Sequence, residues 1–501
     1  MSALPANYHP ITQEDIDQAN AAKEKAVRTE EITADLTLGN PGQDIPYELI
    51  AAERVFLAAA ADITYNPQDP DLKALDDAGI DISPLTNHVN PSKYAPRSAT
   101  KPMVWVQQKV ANHFNRENPT WNVGADQVVI VPGGTRTAMR LSTLDAIEQR
   151  KKKHGRGYRA AATPAIHWNA LNPIFAEHGI KTSSVQVDDK TRLIDLNHLG
   201  KVVAGNGSSQ VFIKEVIRNP DGQMSTAERM EAMAEILQSK NAHGIDDAVY
   251  AGLQYPDTTV DENNNVHVRS GAKQQELHYL RGHMENADVC GSLAKVFAYA
   301  GAEIGYVIAR DKAAADRIRA RAPKHGLVPT SKLAALAAAM QMGPDFKMQV
   351  AMDCRDRVTL LQTGASTAGF ENADMPPAGQ FFFPSIEPFL GREIDGIQIK
   401  NGMNMVAALN GRGVFTSEGT PSGDPLSVRM STAGCLTTLA FAGQAMIDMV
   451  RDNAPDLLTS NNSVLEAGAK HDILSGSVAL QASTKYTLAR QLVASSLRTR
   501  A

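Results

Sequence analysis

The stretch Gln127-Val128-Val129-Ile130-Val131-Pro132-Gly133-Gly134-Thr135 sets four consecutive β-branched residues against a proline and two glycines. It reads as a strand buried on both faces and then a turn, because a strand covered on both sides has no polar face to alternate with. A helix follows over 135–149, where Ala138, Leu141, Leu144 and Ile147 recur at helical spacing. Upstream, 103–117 reads as another helix. Downstream, short apolar runs fall at 158–163, 184–187, 211–217, 244–249, 289–293 and 305–309, most of them separated by helical patterns. Seven candidate strands alternating with helices predict an α/β unit around a mostly parallel sheet. In such sheets ligands bind beyond the carboxyl ends of the strands.

The flanks read differently. Residues 12–35 are polar and rich in Glu, Lys and Ala, as in a surface helix; 36–46 reads as a short strand and a Gly/Pro turn, and 47–62 as a helix with an apolar face. After residue 330 a long Ala-rich helix is expected over 331–365, then strand-like pieces at 381–383 and 427–431 and a helix at 436–451. This predicts a second, smaller α+β domain. The expected division is 1–90 as an N-terminal segment contributing to the small domain, 91–330 as the large domain, 331–452 as the small domain and 453–501 as an extension. The polar, Asn-rich stretch 258–275 reads as an insertion loop.

At 501 residues the chain is long enough for more than one core, and its 43% hydrophobic and 21% charged content is that of a globular protein. A net charge of -5 with no basic stripe gives no reason to expect nucleic-acid binding. The run Arg150-Lys151-Lys152-Lys153 suits the negative end of a helix dipole. Cys290, Cys354 and Cys435 are scattered, without the paired spacing of a disulfide framework or metal site, which fits a reducing compartment. Met1 to Gln13 lacks the apolar segment of a secretory signal, and no apolar run approaches the roughly 18 residues of a membrane span. The expectation is a cytoplasmic protein with no metal. No Gly-x-Gly-x-x-Gly after a strand, Walker A, His-Glu-x-x-His or Gly-x-Ser-x-Gly motif occurs.

Four segments could carry chemistry. Cys290-Gly-Ser292-Leu-Ala-Lys295-Val-Phe-Ala-Tyr-Ala-Gly-Ala-Glu303-Ile-Gly-Tyr306 sets a lysine between two apolar stretches. Burial lowers an amine's pKa, and a neutral amine can condense with an aldehyde; on this segment alone, the favoured reading of Lys295 is a solvated lysine at a strand end. Asn219-Pro-Asp-Gly222 is a turn signature, and Asp246-Asp247-Ala-Val-Tyr250 closes a candidate strand with a capping residue type. Arg429, within Ser-Val-Arg-Met-Ser-Thr-Ala, needs a carboxylate or phosphate partner, whether structural or a ligand.

In this order the four segments resemble the fold type I enzymes dependent on pyridoxal 5'-phosphate (PLP), in their aspartate-aminotransferase-like, class I/II branch. The resemblance covers most of 36–450 and rests on spacing: Asn219 precedes Asp247 by 28 positions, Tyr250 follows Asp247 by three, and Ser292 precedes Lys295 by three. It implies a three-layer PLP-dependent transferase-like large domain with a smaller α+β domain. It further implies that Lys295 forms a Schiff base with the cofactor and shuttles the Cα proton. Asp247 pairs with the pyridine nitrogen, and Asn219 and Tyr250 bond the ring's phenolate oxygen. Gly134, Thr135 and Ser292 bind the phosphate, and Arg429 clamps the substrate α-carboxylate. Tyr94, in Ser92-Lys-Tyr94-Ala-Pro96, resembles the tyrosine that reaches the phosphate of a neighbouring subunit, which implies a homodimer with shared sites. Trp168 and His167 compete for the aromatic stacked on the ring, and Gly39 and Asn40 resemble the substrate-side loop.

One departure stands out. Where the family has a phosphate-binding arginine, eight residues after the lysine, this chain has Glu303. A carboxylate there repels a phosphate, so either Glu303 points elsewhere or another cation serves, with Arg136 the candidate, or the site is degenerate. The expected activity is an aminotransferase acting on an α-amino acid and a 2-oxo acid. The alternatives are a PLP-dependent lyase, decarboxylase or carbon–carbon bond-forming enzyme, and a cofactor-free binding homologue.

Overall fold

The computed structural model describes residues 4–29, 33–37, 39, 43–61, 66, 68–87, 101–155, 160–188, 190–204, 210–260, 266–268 and 273–459. Its centre is a seven-stranded sheet of β1 (Val128–Pro132), β2 (Ala160–Pro164), β3 (Lys181–Val185), β4 (Gln210–Glu215), β5 (His243–Asp247), β6 (Ala287–Ser292) and β7 (Ile304–Ile308). The spatial order is β1-β7-β6-β5-β4-β2-β3. Neighbours from β6 to β3 run parallel, and β7 alone is antiparallel, to both β6 and β1. The α/β expectation therefore holds.

Both faces of the sheet's central strands are covered, which is why most of them carry apolar residues, while the edge strand β3 is polar and largely exposed. Val211, Ile213 and Ile245 pack with Ala138, Leu141, Ile174 and Phe175 on one face. Phe212, between Val211 and Ile213, points the other way and packs with Met230, Met233 and Leu237. Burial of each such side chain contributes about 1.5–3 kcal/mol. Reversal of β7 matters for the site, because it brings Ile304 beside Pro132 and Gly305 beside Ser292.

A separate core lies around the last third of the chain. Strand Phe381–Phe382 pairs antiparallel with Val428–Ser431, which also pairs with Ser417–Glu418. Ala34–Asp35 lies parallel to Val414–Phe415, and Ala19, Ala34 and Leu36 pack with Leu361, Met405, Leu409 and Met446. Leu49, Val55, Phe56 and Leu75 instead pack with Val106, Val110, Leu333 and Leu336 in the first core. Helix Pro344–Thr367 joins the two, with Val350 and Cys354 in one core and Val358 and Leu361 in the other.

Two expectations are corrected. The single helix over 331–365 is two helices, Thr330–Ala339 and Pro344–Thr367. Gly343 is the N-cap and Pro344 the first helical residue; proline lacks the N–H that continuation needs but suits a helix start. The insertion within 258–275 is not all loop, since Thr258–Val260 and Val266–Val268 form an antiparallel ladder. The tail beyond 459 lies outside the described residues.

Candidate active site

The carboxyl ends of β4, β5 and β6 and the start of the helix after β1 converge on one place. Lys295 follows β6, is half-buried, and its Nζ donates a hydrogen bond to the Gly39 carbonyl oxygen. Burial lowers its amine pKa to about 8; the nearby Arg429 charge adds to the fall, and Asp247 opposes it. Asp247 ends β5, where its Oδ1 accepts the Val249 N–H at 3.0 Å. Burial raises its carboxyl to about 7 against the opposing pull of that hydrogen bond and of Lys295. Amine and carboxyl thus sit in each other's field, one half-buried and one buried.

Asn219 and Tyr250 meet above this pair. Asn219 Nδ2 donates to Tyr250 Oη at 3.3 Å, and Asn219 Oδ1 is buried with no partner among the described residues. Burial, followed by the charges of Glu215 and Asp247, pushes the Tyr250 phenol up, so it stays protonated. The Tyr250 ring packs edge-on to Phe381 at 6.0 Å, and the Arg429 guanidinium lies 5.1 Å from the centre of the same Phe381 ring. Arg429 donates to the Thr37 carbonyl oxygen at 3.1 Å, while its Nε is buried without a partner. Gln380 Nε2 donates to the Gly39 carbonyl oxygen at 3.0 Å, which ties the segment around Gly39 over Lys295.

A second cluster forms at the helix Gly134–His154. Gly133 and Gly134 adopt left-handed backbone, with φ of 72° and 65°, and the Gly133 N–H donates to the Glu303 carbonyl oxygen at 2.7 Å. A Cβ on Gly305 would lie 2.6 Å from the Gly134 carbonyl, so only glycine lets the helix start sit this close to β7. Thr135 Oγ1 is buried at this helix N-terminus with no partner among the described residues, and buried Ser292 lies alongside. Glu303 is exposed and contributes its backbone. Arg136 is also exposed, its guanidinium 5.5 Å over the Trp168 ring. Trp168 is half-buried on the loop after β2; His167 is buried with Nδ1 3.2 Å from the Ala165 carbonyl oxygen, and burial lowers its pKa. Tyr94 and Asn40 lie outside the described residues.

Sequence reasoning passed over Phe381, Thr37 and Gln380, whose roles depend on the small core folding back over the sheet. It also passed over Glu215, the buried last residue of β4. A signal existed there: Lys214-Glu215 interrupts the apolar run Val211 to Ile217.

The profile of the family described as Aminotransferase class I and II matches residues 104–435. The chain belongs to the class I and II aminotransferases. It is a PLP-dependent aminotransferase. Its fold is similar to that of a double mutant of Thermus thermophilus aspartate aminotransferase, with a TM-score of 0.65, 17% identity, and coverage of 90% of this chain and 100% of the other. Thermotoga maritima aspartate aminotransferase gives a TM-score of 0.64 at 15% identity, covering 88% and 98%. An aminotransferase from Mycobacterium tuberculosis gives 0.65 at 17%, covering 90% and 100%. No curated protein matches the chain.

The residues present fit PLP. The orphaned Thr135 Oγ1 at a helix N-terminus suits a phosphate, and the orphaned Asn219 Oδ1 and protonated Tyr250 suit the polar edge of a ring. Among the described residues, no group of three or more His, Cys, Asp or Glu could hold a metal, and no helix is long and apolar enough to cross a membrane.

Proposed function

We propose that Lys295 carries the cofactor covalently through its amine and that this site moves an amino group between an α-amino acid and a 2-oxo acid. The observation that carries the proposal is Lys295 and Asp247 converging at the ends of β6 and β5, with their proton affinities moved toward neutrality from opposite sides. An amine near neutrality can lose its proton, attack a carbonyl carbon, and later take and return the proton at the substrate Cα. PLP, when bound, supplies an electron sink for the pair left at Cα.

The remaining residues orient and hold. Asp247 keeps a proton on the ring nitrogen. Tyr250 accepts from Asn219 and so has its own O–H to donate toward the ring oxygen. The N–H groups of Gly134 and Thr135, with the Thr135 and Ser292 hydroxyls, take the phosphate. Arg136 is the cation near this end in place of the arginine that Glu303 replaces. Trp168, rather than the more deeply buried His167, offers a ring face to the site. Arg429 binds the α-carboxylate with its free Nε, and Gly39 and Asn40 border the substrate. As the family resemblance implies, Tyr94 is assigned to the phosphate of a second copy in a homodimer, and the enzyme is assigned to the cytoplasm.

The test is a half-reaction. Amino acids are added singly to the purified chain, and the visible spectrum is followed. At least one donor converts the lysine-bound cofactor to its amine form and yields a 2-oxo acid, and Lys295→Ala does neither. Loss of carbon dioxide or of a side-chain group, with no 2-oxo acid from any donor, overturns transamination.

A further inference from the structure

Glu215 ends β4 in direct register with Asp247 on parallel β5. Register partners in parallel strands point to the same side of the sheet, on backbones roughly 4.8 Å apart. Both carboxyls are buried, Glu215 at 4% exposure and Asp247 at 1%. Lys214 and Asp246, one residue earlier on each strand, point to the opposite face and face each other at 3.9 Å. Lys214 is drawn first to Asp246 and only second to Glu215. Arg218 is the other cation near it, and its Nε is bound to Asp221 Oδ1 at 2.7 Å. The remaining titratable neighbours are Tyr250 and, one residue from the Trp168 loop contact, His167. Glu215 Oε2 accepts the Trp168 backbone N–H at 3.4 Å, the Asn219 backbone N–H also favours the charged carboxylate, and Oε1 makes no hydrogen bond of good geometry among the described residues.

A second full negative charge beside Asp247 in so dry a place is costly. A carboxylic acid in the same place is neutral. Burial, and then the Asp247 charge, push the Glu215 carboxyl well above its ordinary range, in agreement.

We propose that Glu215 is a positioning residue of this site: a neutral carboxylic acid beside Asp247 at the ends of β4 and β5, whose charge state sets how firmly Asp247 holds the proton on the cofactor's ring nitrogen. It rests on the reading of Asp247 given above. When the cofactor is in place, the pair carries one negative charge toward the ring. Ionisation of Glu215 at high pH adds a second charge behind Asp247 and holds the ring proton more tightly. Through its bond to Trp168, Glu215 also ties the aromatic loop to the same pair.

The test uses the full chain, wild type and Glu215→Gln, with and without PLP. Infrared difference spectra of wild type minus Glu215→Gln at pH 7 show one protonated-carboxyl carbonyl stretch beyond the one that Asp247 gives in both proteins. With PLP labelled with nitrogen-15 in the ring, the ring nitrogen of Glu215→Gln loses its proton about one pH unit lower than in wild type, a tenfold fall in proton affinity. A merely structural role would leave that titration in place. Carbon-13 labelling of glutamate carboxyls reads the protonation of wild-type Glu215 directly, should the variant fold poorly. An ionised Glu215 at pH 7, or an unmoved ring titration, overturns the proposal. A chain that shows no visible absorbance with PLP fails the functional reading as well, so the two failures are told apart by the spectrum.

Discussion

Lys295 and Asp247 are residues whose environment moves them in opposite directions, and each has a pH signature. Since the Lys295 amine titrates near pH 8, the rate of PLP uptake should rise about tenfold per unit as pH climbs toward that value and level off above it, measured by stopped-flow absorbance. Lys295→Ala should lower turnover by roughly 10³-fold or more. Asp247 behaves as a buried acid whose folded-state pKa, about 7, lies above its unfolded value. The folded state then binds more protons than the unfolded one between about pH 4 and 7, so this residue contributes stability that falls as pH rises through that window. Asp247→Asn should therefore stabilise the cofactor-free chain at pH 8 by on the order of 1–3 kcal/mol, with the gain gone below about pH 4, while activity is lost. Urea unfolding at the two pH values reads this directly. Lys295, Asp247, Asn219 and Arg429 stood out in the sequence only together, because their order and spacing resemble those of a known family, while each alone has an ordinary structural reading. Glu215 did not, because an interrupted apolar run can also be a strand end, and only the register with Asp247 gives it a neighbour.

Elements meet at glycines in two places that decide more than local backbone. Helix Pro344–Thr367 crosses helix Leu436–Asn453 at Gly364, where an added Cβ would lie 2.4 Å from the Gly443 Cα. Gly364→Ala must push the helices apart inside a packed core, and should cost about 1–3 kcal/mol by urea unfolding with little change in substrate affinity once folded. Gly305→Ala acts at the proposed site instead, since it displaces the start of the Gly134–His154 helix, whose N–H groups are assigned to the phosphate. PLP affinity should fall on the order of tenfold, measured by fluorescence titration, because the helix N-terminus works only over a short range. The strands were legible from their apolar runs. The helix over 331–365 was over-extended because alanine-rich sequence favours helix on both sides of Gly343-Pro344, and the proline was not given its weight. The short ladder Thr258–Val260 with Val266–Val268 was hidden by polar composition, which signals a loop but does not forbid pairing.

At the scale of the molecule, the site is assembled from two cores. Arg429 lies on a strand of the smaller one, Phe381 sits on the neighbouring strand but packs into the first core, and Lys295, Asp247 and Asn219 come from the carboxyl ends of the sheet strands and the loops after them. The cores are also stitched at the rim, where Arg192 pairs with Asp424 at 2.9 Å and the His167 N–H donates to the Ser422 carbonyl oxygen at 3.2 Å. A shared dimeric site makes a further demand. If Tyr94 completes the neighbour's phosphate pocket, co-refolding inactive Lys295→Ala with weakened Tyr94→Ala should restore roughly a quarter of wild-type activity, because half the dimers are mixed and each holds one intact site. No recovery, or a single-chain mass by light scattering, would remove the dimer from the proposal.

The sequence by itself determined the layered α/β class and the order of the strands along the chain, and the resemblance in its spacing pointed to an amine, an acid and a guanidinium as candidates. These follow from local preference and from residue chemistry, which are properties of neighbours along the chain. Tertiary structure alone decided that β7 runs against its neighbours, that Gly39 closes over Lys295, that Glu303 faces solvent, and that Glu215 and Asp247 share a register. Each depends on which distant segments are packed together, and burial shared between segments far apart in the chain leaves no mark on either one alone.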